Sequence, residues 1–237
     1  MKKINYFSNI GFQDGLEFES YLPSDYILPP KKWIGEQEKN ALYTKCPAWK
    51  EWGKNTWIMY QQFDIEFEYI SAEKRIISNL VEQQSFDNYF WVHPDWLDGE
   101  HPSIQLKDIY IYWTKEKDVW VEQIPHPLLS RYGLEVIPGT FPISVWQRPL
   151  LFGFNILDYD VNIKIPRGTP LYYIRFYSRK NDSLFSLNRE TIPKEVMESQ
   201  KQVVRLKDYD RFASWNLIQQ RLKKEESSCP FDFLWKK

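Results

Sequence analysis

The chain has 237 residues, and its 31 Lys and Arg residues almost balance its 32 Asp and Glu residues. This balance creates no strong field toward nucleic acid or an anionic membrane, so neither is an expected partner. Aromatic residues make up 17% of the chain and include 11 Trp, whereas Gly contributes only 9 residues. That composition favours a core built mainly from β-sheets, and the length suits a single domain over 1–237.

The N-terminus and the two cysteines predict a cytoplasmic protein. The opening "MKKINYFSNIGFQDGLEF" lacks the apolar segment of a signal peptide, and no apolar run approaches the roughly 20 residues of a membrane helix. Cys46 and Cys229 are too few for a disulfide framework, so we expect two reduced thiols. Each cysteine precedes a proline, and the thiolate of a Cys-Pro pair can be an axial ligand of haem. We interpret both cysteines as small buried residues at turns, and we predict no cofactor.

Residues 1–56 show little periodicity and many turn signals, including Pro29-Pro30 and Cys46-Pro47. Because proline pairs and Cys-Pro steps interrupt regular structure, we predict an irregular, aromatic-rich lead-in that wraps the core.

Residues 57–178 carry the pattern of β-strands. In "TWIMYQQFDIEFEYI", every second residue from Phe63 to Tyr69 is apolar, and the residues between them are acidic. A period of two predicts a strand with one face on the core and an acidic face in water. The acidic face is also a candidate ligand surface, but we interpret it as a solvated sheet face protected against edge pairing.

Further short strands predict an antiparallel β-sandwich or jelly roll. Their patterns cover 104–113, 119–124, 134–137, 140–146, 149–156, 161–165 and 170–178. "PLLFGFNI" is apolar on both faces, which predicts a strand inside a sheet. The predicted buried core comprises Phe63, Ile65, Phe67, Ile143, Phe152, Phe154, Ile163 and Ile174.

Residues 191–237 change to helical spacing and form a predicted helical extension. Thr191 is the expected cap of the first helix, with Pro193 in its first turn, and Asp208 or Asp210 begins a second helix. The terminal "CPFDFLWKK" is too apolar for a free tail. We therefore predict a homo-oligomer or a docking role, carried by Phe231, Phe233, Leu234 and Trp235.

The stretch "FWVHPDW" contains two of the three ligands of a facial-triad iron site, His93 and Asp95. The third ligand would be His126, which precedes the 134–178 strands where a jelly-roll oxygenase normally carries it. Arg131 is the nearest candidate for binding a co-substrate carboxylate. Because Pro94 favours a bend between the two ligands, we predict a turn and no metal site. An iron-dependent oxygenase remains the alternative.

The remaining motifs predict no catalytic residue. The chain lacks a Gly-rich phosphate loop, a nucleophile elbow and Cys/His spacing suited to zinc. "WKEWGKNTW" alternates Trp with Lys, as single-stranded nucleic-acid platforms do. We interpret it as a packed loop, because Glu51 offsets one of its two lysines and the whole chain is nearly neutral.

Three stretches together resemble a family of proteins encoded by tailed bacteriophages, of the T4-like and cyanophage type. They are "YILPPKKW", "LYTKCPAWKEWGKNTWIMYQQFDIEF" and "FPISVWQRPLLFGFNILDYDVNIKIPRGTPLYYIRFYSR". The family pattern has a proline after Cys-Pro where this chain has Ala48, and it has no fixed His-x-Asp. No activity is assigned to the family, so the resemblance implies a phage origin and no functional residues.

Three functions remain open at this point. The leading hypothesis is a non-enzymatic bacteriophage protein for binding or assembly, acting through protein–protein or small-ligand contacts in the host cytoplasm or the virion. The alternatives are the iron-dependent oxygenase and a nucleotide-binding sponge that acts against host defence.

Overall fold

The computed structural model describes residues 1–8, 12–13, 16–17, 27–33, 45–93, 101–107, 110–146, 150–209, 218 and 220. In these ranges the chain is mainly β. The strands are β1 (Lys2–Ser8), β2 (Phe12–Gln13), β3 (Leu16–Glu17), β4 (Lys31–Lys32), β5 (Thr56–Tyr60), β6 (Ile65–Ile70), β7 (Arg75–Ser78), β8 (Phe90–His93), β9 (Ser103–Lys107), β10 (Tyr110–Trp113), β11 (Val119–Pro125), β12 (Leu134–Ile137), β13 (Gly139–Phe141), β14 (Leu151–Ile156), β15 (Asn162–Ile165), β16 (Pro170–Ser178) and β17 (Phe185–Arg189). The helices are α1 (Pro47–Gly53), α2 (Gln83–Tyr89), α3 (Lys194–Tyr209) and a 3-10 helix (Pro127–Tyr132).

The strands form several open sheets, which confirms the prediction of a mainly β, antiparallel protein. The larger sheets have the orders β13-β11-β16-β5-β4 and β12-β14-β9-β8, and three smaller sheets have the orders β10-β1-β17, β15-β6-β7 and β2-β3. Every pairing within the described strands is antiparallel except that of β1 with β17. β14 lies between two partners, as its apolar pattern predicted.

One hydrophobic cluster takes side chains from most of these sheets. Phe152 of β14 stacks on Tyr172 of β16, with 4.2 Å between the ring centroids. Tyr112 of β10 packs edge-on against Phe176 of β16 at 5.7 Å. The inner face of the five-stranded sheet therefore contacts both neighbouring sheets through aromatic rings.

The predicted core is confirmed at every position except Phe63, which is only partly buried. The chain leaves strand geometry between β5 and β6, where the Gln61 side-chain amide donates to the Phe63 carbonyl and Gln62 donates to that of Tyr60. These local bonds replace a sheet ladder and turn Phe63 away from the period-two pattern.

Three predicted strands are shorter or divided in the structure. Residues 56–70 form β5 and β6 in different sheets, and 104–113 likewise divide into β9 and β10. After β13, residues 142–146 form a turn in which the Trp146 amide donates to the Pro142 carbonyl at 2.7 Å. The prediction was wrong there because apolar alternation does not identify the pairing partner of a strand.

The prediction of an irregular lead-in is wrong for residues 2–8. β1 is the middle strand of its sheet, and its Ile4 side chain is fully buried. Its partner β17 begins at Phe185, so the pairing joins distant parts of the chain. Strand β17 and helices α1 and α2 also lie outside the regions where strands and helices were predicted.

α3 confirms the predicted change to helical spacing after Pro193. The Pro193 carbonyl accepts from the Val196 and Met197 amides, which begins the first turn. Val196 packs with residues of β10, and Val203 belongs to the main core. Asp208 lies inside this helix and does not begin a second one, while the alternative start at Asp210 lies outside the described residues.

Candidate binding face

His93 is the last residue of β8 and pairs in register with Ser103 of β9. The turn predicted between Val92 and Trp96 is therefore wrong at His93, which belongs to the strand, while Pro94 lies outside the described residues. β8 pairs with β9 in antiparallel orientation, and backbone hydrogen bonds between the two strands hold residues 90–93 extended. The local sequence did not predict this pairing. Asp95 lies outside the described residues.

His126 has a structural role at the start of the 3-10 helix. Its Nδ1 atom accepts from the Leu128 amide at 3.2 Å, and its ring centroid lies 4.7 Å from that of Tyr173. Burial lowers the pKa of His126 from 6.5 to about 4. Since Nδ1 is an acceptor, the ring is neutral with its proton on Nε2. It follows β11 in the five-stranded sheet, whereas His93 belongs to the four-stranded sheet.

His101 makes a different contact, with 2.6 Å between its Nδ1 atom and the Tyr159 hydroxyl oxygen. Within the part of the chain that the structure describes, no three His, Cys, Asp or Glu residues form a group suited to a metal ion. His101 and His126 therefore have different contacts, the first with the Tyr159 hydroxyl and the second with the Leu128 amide.

The side of the five-stranded sheet that faces away from the main core is unusual in composition, and we call it the outer face. Residues paired across antiparallel strands point to the same side, so the register defines its members. Its three rows are Lys31–Ile58–Tyr173–Ile124, Thr56–Arg175–Glu122–Thr140 and Tyr177–Trp120. Large aromatic and charged side chains thus stand where a solvated sheet face usually carries small polar ones.

Three tryptophans cover one end of the outer face and form what we call the tryptophan cluster. Trp33 stacks on Trp49 at 5.9 Å and meets Trp52 edge-on at 5.4 Å. Trp52 in turn packs edge-on against Tyr173 at 5.1 Å. Trp33 is buried, but Trp49 keeps 45% of its surface exposed. The cluster therefore holds one tryptophan ring in a fixed position at the surface.

Local sequence explains how α1 presents these rings. Pro47 occupies the first turn, where the missing amide costs nothing. Trp49 and Trp52 are three residues apart and so lie on one side of the helix, 5.8 Å between centroids. The Thr56 hydroxyl donates to the Trp52 carbonyl at 2.7 Å and joins the helix end to β5.

Trp120 lies at the other end of the outer face. The Arg179 guanidinium sits 3.6 Å above its ring centroid. Asp118, with a φ of 59°, accepts from the indole N–H of Trp120 and from the Arg179 amide. Burial raises the pKa of Asp118, but hydrogen bonds from Trp120, Ser178 and Arg179 outweigh burial and lower it below its usual range. Trp120 is thereby fixed from both its edge and its face.

An ion pair between Arg175 and Glu122 occupies the middle row of the outer face. The two side chains are 34% and 31% exposed, so solvent screens the pair. The Arg175 Nε–H is buried, and no described residue accepts a hydrogen bond from it. This centre of the face is consequently polar, and it lies between two aromatic ends.

Three lysines lie close in sequence to the tryptophans of the cluster. The Lys31 ammonium lies 5.5 Å from the Tyr60 ring centroid, and Lys45 and Lys50 are exposed on either side of Trp49 in sequence. Glu51, the acid of this helix, pairs with Lys54. Residues 45–54 therefore carry three lysines and one acid, although the whole chain is nearly neutral.

Two predictions from the sequence were wrong near the tryptophan cluster. "WKEWGKNTW" is a helix and a strand start with an exposed Trp49, so the interpretation as a packed loop was wrong. Cys46 is an exposed thiol before α1 and was expected to be buried. The Pro47 signal and the three-residue Trp spacing predict α1 in retrospect. Cys229 and the predicted docking residues Phe231, Phe233, Leu234 and Trp235 lie outside the described residues.

Comparison with protein-family models and with curated protein sequences gives no match. The resemblance to a family of tailed-bacteriophage proteins therefore stays a prediction. Among the described helices, none combines the length and apolar character needed to cross a membrane.

Proposed function

We propose that this chain is a non-enzymatic, bacteriophage-encoded binding or assembly protein that contacts a partner protein through its outer face. The observation that carries the proposal is Trp49, a 45% exposed indole supported by the buried ring of Trp33. Trp, Tyr and Arg dominate the energetics of protein interfaces, and their side chains occupy this face. A preformed ring position also lowers the entropy cost of binding.

The architecture that we propose for this role is a β-sandwich of the jelly-roll type. Ring stacking between Phe152 of the four-stranded sheet and Tyr172 of the five-stranded sheet supports two facing layers. In such an arrangement the inner faces form the core, and a partner would contact the accessible parts of the outer face and the tryptophan cluster that covers its end.

The phage origin rests on the three stretches of sequence that resemble the tailed-bacteriophage family. We place the protein either in the host cytoplasm or in the virion. The partner is accordingly a phage protein, a host protein or a second copy of the chain, and the near-neutral net charge disfavours nucleic acid.

A comparative capture experiment tests the role of the outer face. Tagged full-length protein is expressed during infection by a tailed phage, and bound proteins are quantified against Trp49→Ala. The control is Leu80→Ala, which truncates a 52% exposed side chain in the segment between β7 and α2. We expect a partner that the wild type and the control retain and that Trp49→Ala loses by about tenfold or more.

Folding of the variants is checked by circular dichroism, because Trp49 also contacts Trp33 and Trp52. Equal capture by the wild type and a folded Trp49→Ala variant contradicts the proposal, as does the absence of any enriched partner. Native mass spectrometry of the same preparations reports subunit number, so it detects a second copy as the partner.

The oxygenase and the nucleotide sponge would each give a different mass in native mass spectrometry. An iron-dependent oxygenase using His93 and Asp95 would bind Fe²⁺ stoichiometrically under anaerobic conditions and lose it in His93→Ala. A nucleotide-binding sponge would retain a nucleotide during purification. Either mass increase would replace the binding-protein proposal.

A further inference from the structure

On the outer face and in the segment around α1, acidic side chains have partners within the chain, whereas two lysines form no ion pair in the part of the chain that the structure describes. Its acids are engaged within the chain: Glu122 with Arg175, Glu51 with Lys54, and Asp118 with Trp120, Ser178 and Arg179. The exposed ammonium groups of Lys45 and Lys50 form no ion pair with any residue that the structure describes. Within the described ranges, the two cations beside Trp49 in sequence therefore have no ionic partner.

We propose that the partner segment that docks on the outer face is acidic, with Asp or Glu side chains opposite Lys45 and Lys50 and an apolar side chain on Trp49. This inference rests on the proposed function and defines the chemistry of its partner. Charge complementarity of this kind accelerates encounter and fixes orientation, while the desolvated aromatic contact supplies affinity. The effect is local, since charges beyond about 8 Å are screened at physiological salt.

An acidic protein segment fits these residues better than single-stranded nucleic acid does. A nucleic-acid platform stacks successive bases on several exposed rings and follows the phosphates with a continuous positive groove. Within the tryptophan cluster only Trp49 is exposed, because Trp33 is buried and Trp52 is partly buried. One ring with two neighbouring ammonium groups matches one apolar anchor flanked by carboxylates.

Fluorescence anisotropy with defined peptides tests the inference on the full-length protein. The probe is a fluorescein-labelled peptide of three Asp-Glu-Phe-Pro repeats, and its neutral counterpart has three Asn-Gln-Phe-Pro repeats. We expect the acidic peptide to bind about tenfold more tightly at low ionic strength. Raising the salt from about 0.01 M to about 0.1 M shortens the screening length from about 30 Å to about 10 Å, which should remove most of that difference.

Charge-reversal variants locate the effect. Lys45→Glu combined with Lys50→Glu should weaken binding of the acidic peptide by about tenfold and leave the neutral peptide unchanged. The matched control, Lys194→Glu with Lys201→Glu, makes the same change in net charge on α3, which packs against β10. Equal loss in both double variants would mean that net charge alone acts, and this overturns the inference.

Other outcomes separate the inference from the proposed function. Oligothymidine binding more tightly than the acidic peptide, and lost in Trp49→Ala, assigns the face to nucleic acid and overturns both. If acidic and neutral peptides bind equally and both depend on Trp49, the acidic partner is wrong but the protein-binding role stands. If neither peptide binds, the acidic partner is also overturned, and the capture experiment decides the protein-binding role independently.

Discussion

At the scale of single residues, side chains of the same type differ in their solvent exposure. Trp33 and Trp49 stack on each other, yet one is buried and the other is largely accessible. Phe63 and Phe67 occupy equivalent positions in the alternating sequence, yet only Phe67 is fully buried. The Phe67 ring packs against Phe86 and Phe90. Local hydrogen bonds of Gln61 and Gln62 instead take Phe63 out of the strand pattern.

Phe67→Ala should therefore be strongly destabilising. The ring is 0% exposed and packs against Phe86 at 5.8 Å and Phe90 at 6.3 Å between centroids. Its removal leaves a cavity, and we expect a loss of about 3–5 kcal/mol in the free energy of unfolding. Urea denaturation of Phe63→Ala is the matched control, with a clearly smaller loss expected. Equal losses for the two variants would show that the register of β6 is wrong.

The stability should fall between pH 7 and pH 5 because of His126. Its pKa is about 4 in the folded protein and about 6.5 when unfolded, so the unfolded chain binds the extra proton first. The contribution is complete above the unfolded value and is lost as the pH falls, by about 2 kcal/mol at pH 5. Urea denaturation at both pH values measures this loss.

His126→Asn is the control for that pH dependence. Asn retains an oxygen that accepts from the Leu128 amide but does not titrate in this range. The variant should lose less stability than the wild type between pH 7 and pH 5. A pH dependence identical in both proteins would assign the effect to another group.

At the scale of elements, turns and caps decide where strands end. The 3-10 helix ends at Gly133, whose φ of 65° lies in the left-handed region, and its carbonyl accepts from the Leu157 amide at 2.8 Å. This single residue therefore connects the helix, the start of β12 and the segment after β14. Glycine is suited to position 133 because it has no Cβ that would clash with the backbone at a positive φ.

Gly133→Ala should destabilise the protein more than Gly168→Ala. A Cβ at Gly133 would lie 2.2 Å from Asp158 Oδ2 and 2.8 Å from Asp158 Cβ, so the backbone or Asp158 must move. Gly168 also has a positive φ, 85°, but no atom lies within 4 Å of its added Cβ. We expect about 1–2 kcal/mol for Gly168→Ala from the φ angle alone, and a larger loss for Gly133→Ala. Equal losses in thermal or urea unfolding would contradict the steric argument.

At the scale of the whole molecule, strands distant in sequence complete the sheets. β1 and β17 pair in parallel, with Lys2 opposite Phe185, and β10 closes the other side of β1. The N-terminal strand therefore stabilises segments more than a hundred residues away. Shortening the N-terminus would remove the middle strand of this sheet and leave two edges without a partner.

Removal of residues 229–237 should either dissociate an oligomer or lower the stability of the protein. This segment carries Phe231, Phe233, Leu234 and Trp235, which we predict to dock on the body of the protein or on a second copy. Light scattering of the full chain and of the shortened chain measures the mass, and urea denaturation measures stability. Unchanged mass together with unchanged stability would exclude a docking role.

Much of the fold could be predicted because periodicity reports burial directly. The alternation around Phe67 identified β6, and the helical spacing after Pro193 identified α3. The candidate site was not predictable in the same way. Trp49 becomes an exposed, supported ring only because β4 brings Trp33 beside α1, which no pattern within "WKEWGKNTW" indicates.

The amino-acid sequence alone determined that this protein is mainly β, which side chains of its regular strands are buried, and that a helix follows Pro193. Those properties follow from local periodicity, since a side chain's direction repeats every two residues in a strand and every 3.6 in a helix. Tertiary structure alone decided that 56–70 contributes to two sheets, that Lys2–Ser8 is a central strand and that His126 caps a helix. Strand pairing and burial against distant residues depend on contacts between segments, and those contacts are not encoded in any single stretch.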